Sequence, residues 1–142
     1  LRYIINIDGA CRGNPGPASV GVILRDSTGK SVDKVGAYIG TATNNIAEYT
    51  SLIVGLKLAL RHGVNQLLVR SDSQLMVRQM TGVYKIKSEH LRKLAMEAAS
   101  LVRQFDSVQY QSVPRTQNAD ADRIANEALD DATNQNKSQI SK

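Results

Sequence analysis

The stretch that most constrains this chain is Ile5-Asn6-Ile7-Asp8-Gly9-Ala10-Cys11-Arg12-Gly13-Asn14-Pro15-Gly16-Pro17. It reads as an apolar strand that ends in one carboxylate and breaks into a Gly/Pro loop. An unpaired buried carboxylate is too costly to sit in a core alone, so Asp8 needs a cation or a partner. A two-residue Asp-Gly turn would be the ordinary alternative. The ten-residue loop predicted over 9–18 argues against it.

The rest of the chain supplies a frame for that strand. Residues 2–8 form the first strand, Val20-Gly21-Val22-Ile23-Leu24 the second, and 31–40 the third after the Asp26–Lys30 turn, an antiparallel meander. From Asn45 to Arg61 the period changes. Ile46, Tyr49, Leu52, Ile53, Leu56, Ala59 and Leu60 follow helical spacing, and Gly63 stops the helix. Gln66–Ser71 is a short apolar strand of the kind that lies parallel inside a sheet. A short helix over 73–80, a connector with Lys85 and Lys87, and a helix marked by Leu91, Leu94, Ala95, Ala98, Leu101 and Val102 follow. A fifth strand over 108–113 and a last helix carrying Ala121, Ile124, Ala125, Ala128 and Leu129 complete the pattern. The expected fold is α/β, a mixed five-stranded sheet flanked by helices in the order βββ-α-β-α-α-β-α. One domain is expected over 1–132. The polar stretch 133–142 reads as a disordered tail or the start of a linker.

Composition narrows the function classes. Aromatic residues are 4% of the 142 with no Trp, which disfavours a base-stacking platform. The net charge of +5 favours a polyanionic partner, though modestly. A lone cysteine, Cys11, excludes an intramolecular disulfide and a cysteine-based zinc site, and fits a reducing, cytoplasmic setting. No apolar run reaches membrane-spanning length, so no membrane partner is expected, and the N-terminus has no signal-peptide pattern. The chain opens on Leu1 instead of Met, so the expectation is either a trimmed chain or a domain cut from something larger.

Three further acids fall where this frame could bring them to Asp8. Glu48 lies near the start of the first long helix, where Asn45-x-x-Glu48 has the spacing of a capping box. Asp72 follows the fourth strand, where it could cap the next helix, although Ser73 could do so equally. Asp122, close to Asp120, belongs to the first turn of the last helix, where an acid compensates the dipole. Each is ordinary alone. Together they converge on the carboxyl edge of one sheet, where open α/β sheets bind ligands. Four clustered carboxylates stay ionised only with cations among them, and an oxygen-only set selects hard ions such as Mg²⁺ or Mn²⁺. Two such ions about 3.5–4 Å apart form the usual clamp for phosphodiester hydrolysis. His62 and His90 fall on predicted helices away from this edge, so no His-based nucleophile system competes. The Gly loop lacks the GK[ST] of a P-loop.

At this point the chain resembles ribonuclease H of type 1, across Tyr3 to Ala132. The matching motifs are Asp8-Gly9-Ala10-Cys11-Arg12-Gly13-Asn14-Pro15-Gly16, Thr43-Asn44-Asn45-Ile46-Ala47-Glu48, Ser71-Asp72-Ser73-Gln74 and Asn118-Ala119-Asp120-Ala121-Asp122. The likeness is to the compact prokaryotic branch. It implies an endonuclease that cuts the RNA strand of RNA–DNA hybrids with little sequence preference, leaving 5′-phosphate ends. It implies Asp8, Glu48, Asp72 and Asp122 as ligands of two Mg²⁺ or Mn²⁺ ions. Asp8 would bridge them, Asp122 would hold the water-activating ion, and Glu48 and Asp72 the ion at the leaving group. It further implies that Gly13-Asn14-Pro15, Asn44, Asn45 and Gln74 read 2′-hydroxyls, the group that separates RNA from DNA. Cys11, Arg12, Thr43, Ser73, Lys85, Lys87 and Arg115 join the expected nucleic-acid-binding set.

Two departures from the family pattern shape the expectation. Where many members carry a catalytic His before the last helix, this chain has Arg115, which cannot shuttle protons near neutral pH. Arg115 is therefore expected to touch a phosphate or assist product release. The basic handle between the second and third helices is reduced to a short connector, which implies weak, salt-sensitive hybrid binding. Thr41 also replaces a common Arg beside Thr43 in the DNA-phosphate pocket. The expected partner is an RNA–DNA hybrid, with double-stranded RNA as a further candidate, and the expected state is a monomer. The alternatives are a DNA-acting fold relative, a catalytically weak or dead binding module, and the nuclease half of a fused multidomain protein.

Overall fold

A computed structural model describes the backbone of residues 2–140 and the side chains of residues 2–134. Its elements are β1 (Arg2–Cys11), β2 (Gly16–Arg25), β3 (Ser31–Ala42), α1 (Asn44–Arg61), β4 (Gln66–Ser71), α2 (Gln74–Met80), α3 (Glu89–Val102), β5 (Ser107–Ser112) and α4 (Ala119–Ile140), with a short 3-10 turn over Arg115–Gln117. The sheet order is β3-β2-β1-β4-β5. β1 to β3 form the expected antiparallel meander, while β1, β4 and β5 run parallel.

β1 is central, and its two faces are covered differently. Ile5 and Ile7 join Val22, Leu24, Leu52, Leu56, Leu67 and Val69 in the main core beneath α1 and α3. Removing such side chains from water supplies roughly 1.5–3 kcal/mol each. On the other face, α4 packs across β1, β2 and β3, and it sits close because Gly21 leaves room. A Cβ on Gly21 would lie 2.2 Å from the Ala121 carbonyl oxygen.

Several boundaries differ from those the sequence predicts. β1 does not end at Asp8; it continues to Cys11, paired with β2 up to Cys11↔Ala18. The predicted ten-residue loop thus shrinks to the segment between Cys11 and Gly16. The meander's ladder hydrogen bonds outweigh the local turn propensity of the Gly/Pro residues. Pairing with β4 stops at Asn6↔Arg70, so beyond that point β1 passes an open edge.

α1 begins one residue earlier than predicted, with Thr43 as its N-cap and the Thr43 hydroxyl accepting from the Ile46 amide. The capping box centred on Asn45 is therefore absent, and no acid lies in the first turn. Glu48 is left free of that duty. Ser73, not Asp72, caps α2. α4 runs on to Ile140, past the point where the polar tail was expected to begin, because a nucleated helix gains a hydrogen bond for each residue added. The final two positions of that predicted tail lie outside the described residues.

Candidate active site

Asp8 is the pivot of the site because three elements converge on it. It is paired across the sheet with Gly21 and is 4% exposed. Its neighbour Gly9 lies against the start of α1, where a Cβ would be 2.5 Å from the Ala47 carbonyl carbon and 2.7 Å from the Glu48 nitrogen. Only a glycine lets α1 press this closely on β1, and that contact delivers Glu48. β4 ends one residue before Asp72, so its carboxylate emerges beside the portion of β1 that has lost its parallel partner. The outcome is a set of carboxylate oxygens from Asp8, Glu48 and Asp72 all within 4.8 Å of one another.

The electrostatics are those of a place suited to a cation. Burial, then the charge of Glu48, and then Asp122 and Asp72 push the Asp8 carboxyl up to about 9. Burial and the Asp72 charge push Glu48 up to about 8, against a smaller pull from the Gly9 amide, Asp8 and Arg115. Asp72 is raised by burial, with Arg115 opposing. Most telling is Glu48 Oε2, which is buried and has no hydrogen-bond partner among the described residues. A buried acceptor left bare costs about 1–3 kcal/mol, more if charged, and a divalent ion would remove that cost. The donor set fits a hard cation: it is all oxygen.

Asp122 stands apart from the trio. It reaches Asp8 from α4 closely enough to add both a carboxyl contact and its charge to the rise there. Its own oxygen accepts from Asn126 Nδ2 at 3.2 Å and lies 3.6 Å from Arg115 Nη2. The four predicted acids therefore meet, with three tightly grouped and the fourth on the margin.

A groove of about 530 Å³ opens over the trio, lined also by Asn44, Asn45, Ser73, Gln74 and Arg115. The exposed side chains of Asn44, Asn45, Gln74 and Arg115 are thus placed beside the acids. Lys85 and Lys87 line a second groove with Leu75, Gln79 and Tyr84, and Asn45 belongs to both. The remaining predicted contacts are partly committed within the protein. Cys11 Sγ faces the carbonyls of Gly13 and Ala42, and Arg12 pairs with Asp130. Thr43 and Ser73 are helix caps. Asn14 Oδ1 accepts from the Asn44 amide at 3.0 Å, which ties the Gly13-Asn14-Pro15 loop to α1. Tyr84 escaped prediction because a lone aromatic in a polar connector gives no periodic signal. Its ring carries Arg78, with the guanidinium carbon 5.3 Å from the ring centroid.

Comparison with known proteins agrees with this geometry. Residues 6–128 match the family described as reverse transcriptase-like. The chain is 46% identical over 125 residues to ribonuclease HI of Halobacterium salinarum, covering 88% of this chain and 63% of that protein. It is 43% identical over 133 residues to the bifunctional protein Rv2228c of Mycobacterium tuberculosis, covering 93% of this chain but 36% of that protein. The chain thus spans only about a third of the mycobacterial relative. Among solved structures, RNase H1 of the halophile superposes with a TM-score of 0.90 at 45% identity, covering 92% of this chain and 98% of that one. LC11-RNase H1, in complex with RNA/DNA hybrid, superposes at 0.88 with 40% identity, covering 92% and 99%.

Proposed function

The chain belongs to the ribonuclease H family, and from that premise we propose that it is an endonuclease hydrolysing the RNA strand of RNA–DNA hybrids. The observation that carries the proposal is the bare, buried Glu48 Oε2 within the Asp8–Glu48–Asp72 cluster. Asp8, Glu48, Asp72 and Asp122 would hold two divalent ions, Mg²⁺ or Mn²⁺. When bound, such ions supply an activated water and neutralise charge on the phosphate and the leaving oxygen.

The protein's own groups bind and orient the substrate around that centre. Asn44, Asn45 and Gln74 line the groove and offer amide donors and acceptors suited to 2′-hydroxyls and sugar edges. Asn14 contributes by bracing the loop that carries Gly13 and Pro15, since its side chain is occupied by Asn44. Arg115 is exposed, always charged and beside Asp122, which suits a phosphate contact and excludes proton transfer. Lys85, Lys87 and Tyr84 in the neighbouring groove suit the backbone of the second strand. The same proposal takes the enzyme to be monomeric and cytoplasmic, and ranks a dead binding module lower because no acid of the set is missing.

The test is cleavage of end-labelled RNA–DNA hybrid, double-stranded RNA and double-stranded DNA with Mg²⁺, Mn²⁺ or chelator, beside Asp8→Asn. Metal-dependent cutting of the hybrid's RNA strand is expected. Losing a metal ligand should cost several kcal/mol of transition-state stabilisation, on the order of a thousandfold in rate. Undiminished cleavage by Asp8→Asn, or none by the wild type under any condition, would overturn it.

A further inference from the structure

Two asparagines on the α4 side of the sheet are almost completely sealed from solvent, although neither touches the groove over the acids. Asn118 is 1% exposed and Asn6 is 7% exposed. Asn6 Nδ2 donates to Asn118 Oδ1 at 3.2 Å, and Asn118 Nδ2 donates to the Ile7 carbonyl at 2.9 Å. The Asn118 backbone is also engaged: its amide donates to the Arg115 carbonyl, and its carbonyl accepts from the Asp122 amide at 3.1 Å.

One residue thus joins three parts of the site. Through its side chain Asn118 grips β1 at Ile7, the residue before Asp8. Through its carbonyl it holds the amide of Asp122 itself. Through its amide it closes the turn that presents Arg115. A pair of apolar side chains could fill the same space, but apolar contact is non-directional and would leave α4 free to slide or rotate on the sheet. The two amides form one wall of a polar groove of about 300 Å³ with Arg25, Arg70 and Asp120, yet are themselves nearly inaccessible, so a shift that breaks their mutual bond leaves largely buried donors and acceptors unpaired.

The rest of the α4 contact gives that restraint its importance. The residues α4 buries there are mainly small, Ala121 and Ala125 over Gly21, with Leu129 further along. Small residues permit close approach but offer little interlocking. The Ser19 hydroxyl donates to the Ala125 carbonyl one turn further on, which fixes the spacing but not the position of the helix start.

We propose that Asn118, latched by Asn6, is the positioning residue that sets Asp122 against Asp8, and so completes the metal-ligand set on which the proposed nuclease reading rests. Neither asparagine touches substrate. Their effect passes through the placement of α4.

The test compares Asn118→Ala and Asn6→Ala with the wild type by steady-state cleavage of the hybrid, amide hydrogen exchange, and Mn²⁺ titration followed by EPR. A displacement of about 1 Å can cost on the order of a hundredfold in rate, so Asn118→Ala should lower kcat by about that factor. KM should stay within about twofold, since the groove residues on α1 and α2 are untouched. Exchange at the Asp122 amide should rise about tenfold or more while the centre of α1 is unchanged, as local opening requires. Asn6→Ala, which keeps the bond to Ile7, should shift every readout the same way but less, and it carries the test if Asn118→Ala does not fold. A kcat within about twofold of wild type for a folded variant would overturn the proposal. So would exchange that rises evenly throughout the chain, which is how a merely structural residue behaves. If the wild type does not cut the hybrid, the nuclease reading fails, and Mn²⁺ affinity decides this proposal: weaker binding in both variants supports it, and equal binding overturns it.

Discussion

The two faces of the sheet hold their acids by different physics. On the α1 side, apolar burial does the placing: Ile5, Ile7, Leu52 and Leu56 press α1 onto β1 until Glu48 meets Asp8, and Gly9 sets how close it comes. On the α4 side, alanines and glycines make much of the contact, and polar links from Asn118, Ser19 and the Arg25–Asp120 ion pair tie the helix to the sheet. Three carboxylates fixed by a dense core form a tight group. A fourth on a lightly packed helix is held in place by hydrogen bonds and remains partly exposed. Packing places a residue firmly wherever volume is large, whereas hydrogen bonding must do so where side chains are small.

The sharpest way to break the comparison is to add one methyl group to each face. Gly9→Ala must push α1 off β1 and so separate Glu48 from Asp8. A loss of about 1–3 kcal/mol from overpacking and on the order of a hundredfold in kcat should follow, together with weakened metal binding. Gly21→Ala must lift α4 instead. It should lose comparable stability, its kcat should fall, and Mn²⁺ binding should weaken as it does in Asn118→Ala, but less than in Gly9→Ala, because Asp8, Glu48 and Asp72 stay together. Denaturation, kinetics and Mn²⁺ titration on the two variants check this. Equal loss of metal binding in both would erase the distinction between the faces.

A milder effect separates the acids by their charge. A carboxyl whose native pKa lies above its unfolded value binds its proton more tightly when folded. The stability it supports is present at acid pH and is lost as pH rises from about 4 through about 8 to 9. Metal-free protein should therefore show a falling Tm across that window, while saturating Mg²⁺ should flatten the fall by taking over from the protons. Asp8→Asn should also flatten it, since that variant lacks the most strongly raised group. A Tm independent of pH in the metal-free wild type would contradict the charge arrangement.

The smallest expected effect lies outside both faces. Replacing Lys85 and Lys87 with Ala should raise KM several-fold at physiological salt and leave kcat within about twofold. It should also reduce the dependence of log affinity on log salt by about one unit for each phosphate no longer neutralised. A fall in kcat without a change in KM would place these lysines nearer the chemistry than the second groove does.

Much of this arrangement was legible in the amino-acid order, and the parts that were not share a cause. Strand and helix patterns located the strands and helices, though not the 3-10 turn over Arg115–Gln117, and the four acids Asp8, Glu48, Asp72 and Asp122 marked the edge where they meet. Local rules misjudged Glu48, because the spacing to Asn45 mimics a capping box while Thr43 takes the cap. They also ended β1 at Asp8, because turn propensity is local whereas the ladder with β2 is not. Asn6 carried no functional signal, and Asn118 appeared only as the first residue of a matched motif with no role attached: a polar residue in a strand and another before a helix are both commonplace. Only the meeting of positions far apart in the chain shows that they are a buried pair.

Strand order also sets the sequence in which the site can come into being. β1 finds β2 across a short loop, a pairing that costs little chain entropy. It finds β4 only after β2, β3 and α1 have been traversed, and α4 docks from the far end of the chain. During synthesis, Asp8 and Glu48 emerge early, Asp72 midway and Asp122 late. A nascent or truncated chain could therefore gather the first three acids before the fourth exists. Slow, non-local pairings are the last to be secured in folding. Under the proposed function, catalytic competence would accordingly report that these long-range contacts have closed, and RNA-strand cleavage would be a more demanding probe of correct folding than secondary-structure content.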